Sequence, residues 1–428
     1  MKFLRNFLLF GMDILLYIVL FFLTASFFTD ASFTLQSFSF VLVIILLLSS
    51  YEKIYSLRYD FWQETYKLIK VFFLSYLISL ALLTLVIETH THAKLFLTLY
   101  FILALFMIPL SKRIFKRILY KNEKFRTKVL LVGKDKQIAI LKKEFQKNWY
   151  IGLQSSLEDY EMVIISSEKM ELWEVNKEIE KYLSICRFVY VVPYVRNINF
   201  AHSNIMEYSN IRCNTIQIEN RLLLQRNIWI KQSFDFTLAL VSMPFLLLLH
   251  TLIAILIKMD SKGSIFFQQK RLGKDGEVFS CYKYRTMYEN SNTILQNYLD
   301  QHPDEIRYYA KYHKYKNDPR ITKIGKFLRA SSLDELPQII NVLRLEMSFI
   351  GPRPYMLDEA KDLGSYKQLI LKVRPGITGL WQVNGRNELT FKERNELEVW
   401  YIKNWSLWID TIILIKTFKV VLLKVGAR

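Results

Sequence analysis

The chain has 428 residues, 52% of them hydrophobic and 15% aromatic, yet it carries a formal charge of +19. A soluble enzyme rarely combines so much apolar surface with so much positive charge, whereas a membrane protein with large cytoplasmic parts does, because Lys and Arg gather on the cytoplasmic side. Cys186, Cys213 and Cys281 are widely spaced and unpaired in motif, which argues against a disulfide framework or a zinc site, and the apolar segments favour lipid and phosphate over nucleic acid as partners of the excess charge.

Four apolar segments open the chain, at residues 7–28, 35–50, 68–87 and 95–110, each near the roughly 20 residues that a spanning helix needs. The first is expected to span rather than be cleaved as a signal, since no small-residue cleavage site follows it. Basic residues cluster on alternate flanks: Lys2 and Arg5; Lys53, Arg58, Lys67 and Lys70; Lys112, Arg113, Lys116, Arg117 and Lys121. The other two loops hold only Lys94, so residues 1–121 are expected to form a four-helix transmembrane bundle with both ends in the cytoplasm. Asp13 reads as a helix contact near the interface, with a functional intramembrane carboxylate as the alternative.

Residues 122–227 alternate between strand and helix patterns. Residues 128–132 read as a buried parallel strand, followed by Gly133 and a helix to about Phe145; 162–166 and 188–192 are further strands, with a helix at 171–183 between them. The pattern predicts a small, degenerate Rossmann-like α/β domain. A dinucleotide site needs G-x-G-x-x-G so that the backbone can approach a pyrophosphate. Here the turn offers Gly133 alone, and a structural or regulatory role is expected. The missing fingerprint also tells against the membrane-bound nucleotide-sugar dehydratases, which four spans followed by such a domain resemble.

Residues 228–258 contain an apolar run, 234–257, long enough to span. Lys231 and Lys258 flank it on both sides, Pro244 removes a helix hydrogen bond and forces a bend, and Ser242 and His250 add polarity that a lipid-facing span avoids. The expectation is a re-entrant helix–break–helix with Ser242 and Pro244 at the break. A fifth span kinked at the proline is the alternative.

Residues 259–428 carry the motifs. Gln269–Phe279 with Lys283 and Arg285 suggests a glycine turn whose backbone can approach an anion, and a glycine hairpin between two strands explains it equally well. Next come Asp318, Pro319 and Arg320, then Gly325 to Arg329, then Ser332-Leu-Asp334-Glu335-Leu-Pro-Gln338. Ser332 and Glu335 have capping-box spacing, so both acids could simply start a helix. The same helix start would stabilise an ionised Asp334 and keep it nucleophilic, with Arg320 and Arg329 neutralising a diphosphate. Gly351-Pro-Arg353-Pro354, Arg374 to Gln382 and Gly385-Arg386 are proline-fixed basic loops, equally readable as phosphate clamps or ordinary loops.

The order Q-x-R-x-G-x-x-G-x-x-F, K-Y-R-T-M, D-P-R, G-K-F-L-R, S-L-D-E-L-P-Q, G-P-R-P and R-P-G-I-T-G-L-W-Q resembles the bacterial sugar transferase family of polyprenyl-phosphate phosphoglycosyl transferases, from about Lys231 onward. The resemblance implies a mixed α/β catalytic domain in which Asp334 attacks a UDP-sugar, UMP leaves, and undecaprenyl phosphate collects the phosphosugar. It implies Mg2+ on Glu335, and phosphate contacts from Lys283, Arg285, Arg320, Arg329 and Arg353. Family members often carry Ser-Pro at the membrane break, whereas Met243 precedes Pro244 here. The long architecture resembles enzymes that start O-antigen, capsule and exopolysaccharide units, with galactose or glucose favoured as the sugar. That places the chain in the bacterial inner membrane, its catalytic domain facing the cytoplasm, and a homodimer is compatible with it.

Residues 400–425, with Trp400, Trp405, Trp408 and spaced lysines, read as one amphipathic helix in the membrane interface, with a further transmembrane span, interrupted by Asp410 and three lysines, as the alternative. A catalytically silent scaffold of a polysaccharide assembly complex, or a transferase that moves only the sugar, are the competing functions.

Overall fold

The computed structural model describes the chain apart from residues 1, 29–34, 87–90, 134, 169, 187, 194–202, 209–212, 218, 303, 306–314, 316–317, 386–388 and 423–428. It forms two compact units, residues 1–195 and 196–428. The first holds four apolar helices: α1 (Lys2–Ala25), α2 (Leu35–Tyr51), α3 (Phe61–Val86) and α4 (Thr91–Leu119). Tyr17, Phe21, Ile45, Phe72 and Tyr100 are buried between them, and Phe38 meets Tyr100 edge-on at 4.7 Å. Among the described residues of this unit, Leu4–Ala25, Phe61–Thr84 and His92–Leu119 are long and apolar enough to cross a membrane. The 17 residues of α2 reach about 25 Å, a little short of a bilayer core.

Charge is buried inside this bundle. Asp13 accepts from Lys112 at 2.7 Å, Lys112 also meets Glu64 at 3.1 Å, and Glu64 pairs with Lys116. Lys112 and Lys116, expected among the cytoplasmic flanking charges, are interior partners instead. The reason is local: α4 stays helical past Pro109 to Leu119, so its inward positions turn towards Asp13 and Glu64.

The same unit contains a parallel sheet in the order β2-β1-β3-β4, formed by β1 (Thr127–Val132), β2 (Leu153–Ser155), β3 (Met162–Ser166) and β4 (Val189–Val192). Helices α5 (Asp135–Lys147) and α6 (Leu172–Leu183) alternate with the strands. Glu171 starts α6 with a capping box to Glu174. A Cβ on Gly133 would collide with Ser166, so that glycine serves close strand-to-loop packing here. Arg5 of α1 pairs with Glu161 at 3.1 Å and ties the bundle to the sheet.

The second unit begins with an antiparallel hairpin, β5 (Asn204–Tyr208) and β6 (Cys213–Gln217), and then α7 (Gln225–Asp260). Where the sequence suggests helix–break–helix, α7 runs through Pro244 without interruption. Proline removes one donor, and Ser242 Oγ donates to the Ala239 carbonyl, so the surrounding turns carry the helix across. Lys231 is a second correction. It is buried and pairs with Asp410 at 2.7 Å, so it is no solvent-side flank.

Strands β7 (Phe266–Leu272) and β8 (Val278–Tyr284) form a hairpin, followed by α8 (Ser291–Gln301), α9 (Lys323–Ser331) and α10 (Ile339–Leu343). Strands β9 (Ser348–Ile350) and β10 (Gly376–Thr378) pair in parallel. Side chains at Gly351 or Gly376 would strike the opposing backbone, which explains the glycines of both proline-rich motifs by packing alone. The expected single C-terminal helix is two, α11 (Phe391–Asn404) and α12 (Leu407–Leu422). Trp405, extended at φ −49°, ψ 138°, breaks them and joins the core, donating to Asp410 at 3.0 Å.

Candidate active site

Asp334 and Glu335 sit on a 3-10 turn, Leu333–Gln338, that leads into α10. Ser332 joins this turn to α9 in the left-handed region (φ 56°, ψ 17°), a conformation costing a non-glycine residue about 1 kcal/mol or more. Its side chain caps nothing, so the capping box suggested by spacing does not form. Ser332 is the hinge of the turn, not its cap.

Strand β8 brings Lys283 to the acid pair, where its Nζ lies 2.6 Å from Glu335 Oε1. The adjacent Tyr284 faces the other way and packs with Ile253, Ile257 and Leu328. Asn341, fully buried on α10, accepts from the Tyr282 amide at 3.1 Å and donates to the Ser280 carbonyl at 2.8 Å, which locks the turn against β8. Arg329 on α9 donates from Nε to Thr286 Oγ1 at 2.9 Å. Gly325 lets α9 lie directly on the Thr286 backbone.

Burial and the neighbouring Glu335 charge push Asp334 up to about 6, against the opposing charges of Lys283 and Arg329. This reverses the expectation that a helix start lowers it, because a 3-10 turn of this length supplies little dipole while burial is costly. Such a group is still mostly ionised at pH 7. Burial opposes the Lys283 charge, but Glu335 and Asp334 outweigh it and hold the ammonium above its ordinary range.

The other sequence candidates fall in three places. Arg320 is clamped by Asp318 at 2.6 and 2.8 Å, and Arg329 feels both of them, so this pair borders the Asp334 turn. Arg285 donates to the Ser261 carbonyl at 2.9 Å and fixes the end of α7. The Arg353 amide donates to buried Glu398 at 2.8 Å, and its guanidinium reaches Glu359 at 3.4 Å. Burial pushes Glu398 up to about 7 despite the Arg353 amide, Tyr355 and two arginines. Ser242 and Pro244 lie within α7, away from these charges in sequence.

Arg271 is the arginine of the Q-x-R motif, to which the sequence alone assigns no role. It is buried, donates to the Pro354 carbonyl at 3.1 Å, and lies close enough to both Arg353 and Glu335 for their charges to act on it. Its position two residues before Gly273 was the available signal. The glycines beside it make the hairpin turn, with Asp275 and Gly276 at positive φ. For a divalent ion, the described residues offer no cluster of three His, Cys, Asp or Glu ligands. Glu335 Oε1 accepts from Lys283, which leaves its second carboxylate oxygen as the one that could face an ion.

Residues 226–424 match the bacterial sugar transferase family. The chain is 30% identical over 402 residues to undecaprenyl-phosphate galactose phosphotransferase of Salmonella typhimurium, covering 87% of this chain and 84% of that protein. It is 29% identical over 404 residues to UDP-galactose-lipid carrier transferase of Erwinia amylovora, with 87% and 84% covered. The exopolysaccharide production protein ExoY of Sinorhizobium fredii is 41% identical over 197 residues, 46% of this chain and 87% of that one.

Proposed function

The chain belongs to the bacterial sugar transferase family, and from that premise we propose that it transfers a hexose-1-phosphate from a UDP-sugar to undecaprenyl phosphate and releases UMP. The observation that carries this is the buried, ionisable Asp334 with Glu335 beside it and the charges of Lys283 and Arg329 acting on it. An Asp334 carboxylate oxygen attacks the β-phosphorus. The bond from that phosphorus to the bridging oxygen breaks, and UMP leaves with the electron pair. A phosphate oxygen of undecaprenyl phosphate then attacks the same phosphorus, which frees the carboxylate and yields a diphosphate-linked lipid sugar. Lys283 and Arg329 neutralise charge on the transferred phosphate. Mg2+ held by Glu335 and the donor phosphates would add to that neutralisation.

The names of the relatives support galactose as the sugar, with glucose next, and a first membrane step of O-antigen, capsule or exopolysaccharide synthesis. Four helices of the described chain are long and apolar enough to cross a membrane, which supports residence in the bacterial inner membrane. Lys231, Asp235 and Ala239 before Pro244, and Ile253 and Ile257 after it, all pack on one folded unit. That supports a helix α7 that stays with the catalytic unit on one side of the bilayer rather than crossing it, with the catalytic domain on the cytoplasmic side. The parallel sheet and lone Gly133 support a degenerate Rossmann-like domain without a cofactor.

A panel of UDP-sugars with undecaprenyl phosphate tests the reading. UMP is the expected product, UDP would refute phosphosugar transfer, and no release would favour a silent scaffold. Asp334→Asn should lower turnover about a thousandfold or more and abolish a trappable phosphosugar adduct.

A further inference from the structure

Trp381 lies in a short helical turn, Leu380–Val383, and is buried. Two guanidiniums meet its ring: Arg394 at 5.0 Å from the centroid and Arg353 at 6.0 Å. An aromatic face holds a guanidinium flat and leaves its edge donors available. Arg353 has Glu359 at 3.4 Å, and Arg271 shares that carboxylate at 3.9 Å. Among the described residues no carboxylate lies within 4 Å of Arg394, and its Nε is buried with no hydrogen-bond partner. Arg353 repels the charges of both Arg271 and Arg394. Arg353 and Arg271 thus share the one carboxylate of Glu359, while Arg394 makes no contact with it within 4 Å. Among the described residues, Arg394 has no anion of its own.

Its placement says which one. Lys283 and Arg329 already act on Asp334, where the phosphorus under attack must sit. In-line displacement puts the leaving group on the far side of that phosphorus from the nucleophile. Arg271 lies on the same hairpin as Lys283, which meets Glu335, and shares Glu359 with Arg353, so the basic tract continues from the acid pair to the Trp381 stack. The backbone beneath is fixed: Glu398, one turn along α11 from Arg394, accepts from the Arg353 amide and from Tyr355.

We propose that Arg394, held against Trp381 beside Arg353, is a further substrate-binding residue, whose guanidinium receives the donor phosphate that leaves as the nucleoside monophosphate. This rests on the phosphosugar-transfer reading. The test is binding of UMP and of uridine to the full chain in lipid nanodiscs, by calorimetry, for the wild type, Arg394→Gln and Arg394→Lys, with KM for the UDP-sugar measured alongside. A charge-assisted contact predicts a loss of about 10- to 100-fold in UMP affinity for Arg394→Gln, a matching rise in KM, unchanged uridine affinity, and partial recovery in Arg394→Lys. Equal UMP affinity in Arg394→Gln overturns the assignment. So does a parallel loss of UMP and uridine with a lower melting midpoint, which marks a structural role. A wild-type chain that binds neither ligand removes the transferase reading itself, and this assignment with it.

Discussion

Asp334 is held between opposing influences: burial and Glu335 favour its protonated form, while Lys283 and Arg329 favour the carboxylate. Attack on phosphorus needs the ionised form. As pH falls through about 6 the group gains its proton, so adduct formation should decline about tenfold per unit below that limb. Removing the negative neighbour in Glu335→Gln lets Asp334 ionise more readily, and the acid limb of the residual activity should move to lower pH. Removing a positive neighbour in Arg329→Gln should move it upward. Quench-flow measurement of adduct formation from about pH 4 to pH 8 reads both shifts. A limb indifferent to both substitutions would belong to another group.

Among the elements, α7 and α12 are joined by charge rather than by apolar packing alone. Lys231 meets Asp410 at 2.7 Å and Asp235 at 3.5 Å, Tyr401 donates to Asp410 at 2.7 Å, and Ser348 donates to Asp235 at 2.6 Å. Ser348 starts β9, so the network also positions the strand that carries Gly351 to Pro354. Lys231→Met leaves two buried carboxylates without their cation and should cost about 3–5 kcal/mol. The combined Lys231→Met, Asp410→Asn chain should recover part of that loss. Thermal unfolding in nanodiscs checks it, and additive losses would show that the two side chains act independently.

For the molecule as a whole, the side of the membrane on which the catalytic motifs lie depends on α7. Both halves of that helix rest on the same folded unit, and its outward positions Val241, Phe245, Leu248 and Met259 are exposed and apolar. A helix that crossed would carry one of its packed halves away from that unit. Ser264→Cys, in a chain otherwise free of cysteine, should therefore resist an impermeant thiol reagent added outside intact cells and react after permeabilisation. Strong labelling from outside would make α7 a fifth crossing. Its test is independent of the chemistry at Asp334.

The sequence by itself determined the apolar helices, three of the four parallel strands and the acid pair, because periodicity, apolar run length and motif order are local properties of the chain, whereas the three-residue β2 is too short to show a pattern. Residues 162–166 were legible as a strand, and Asp334 was legible as the nucleophile candidate from the motifs around it. Partner choice was not legible. Lys112, Lys116 and Lys231 read as exposed charges and are buried in ion pairs, since their carboxylates come from helices far away in the chain. Ser332 and Glu335 had the spacing of a cap, but a positive φ at Ser332 turned the side chain elsewhere. Arg271 was legible as part of a motif but not in its contacts, and Arg394 acquired its significance only when α11 was folded against Trp381 beside Arg353. Tertiary structure decided these points because burial and long-range charge, not local propensity, set the energy of a buried ion.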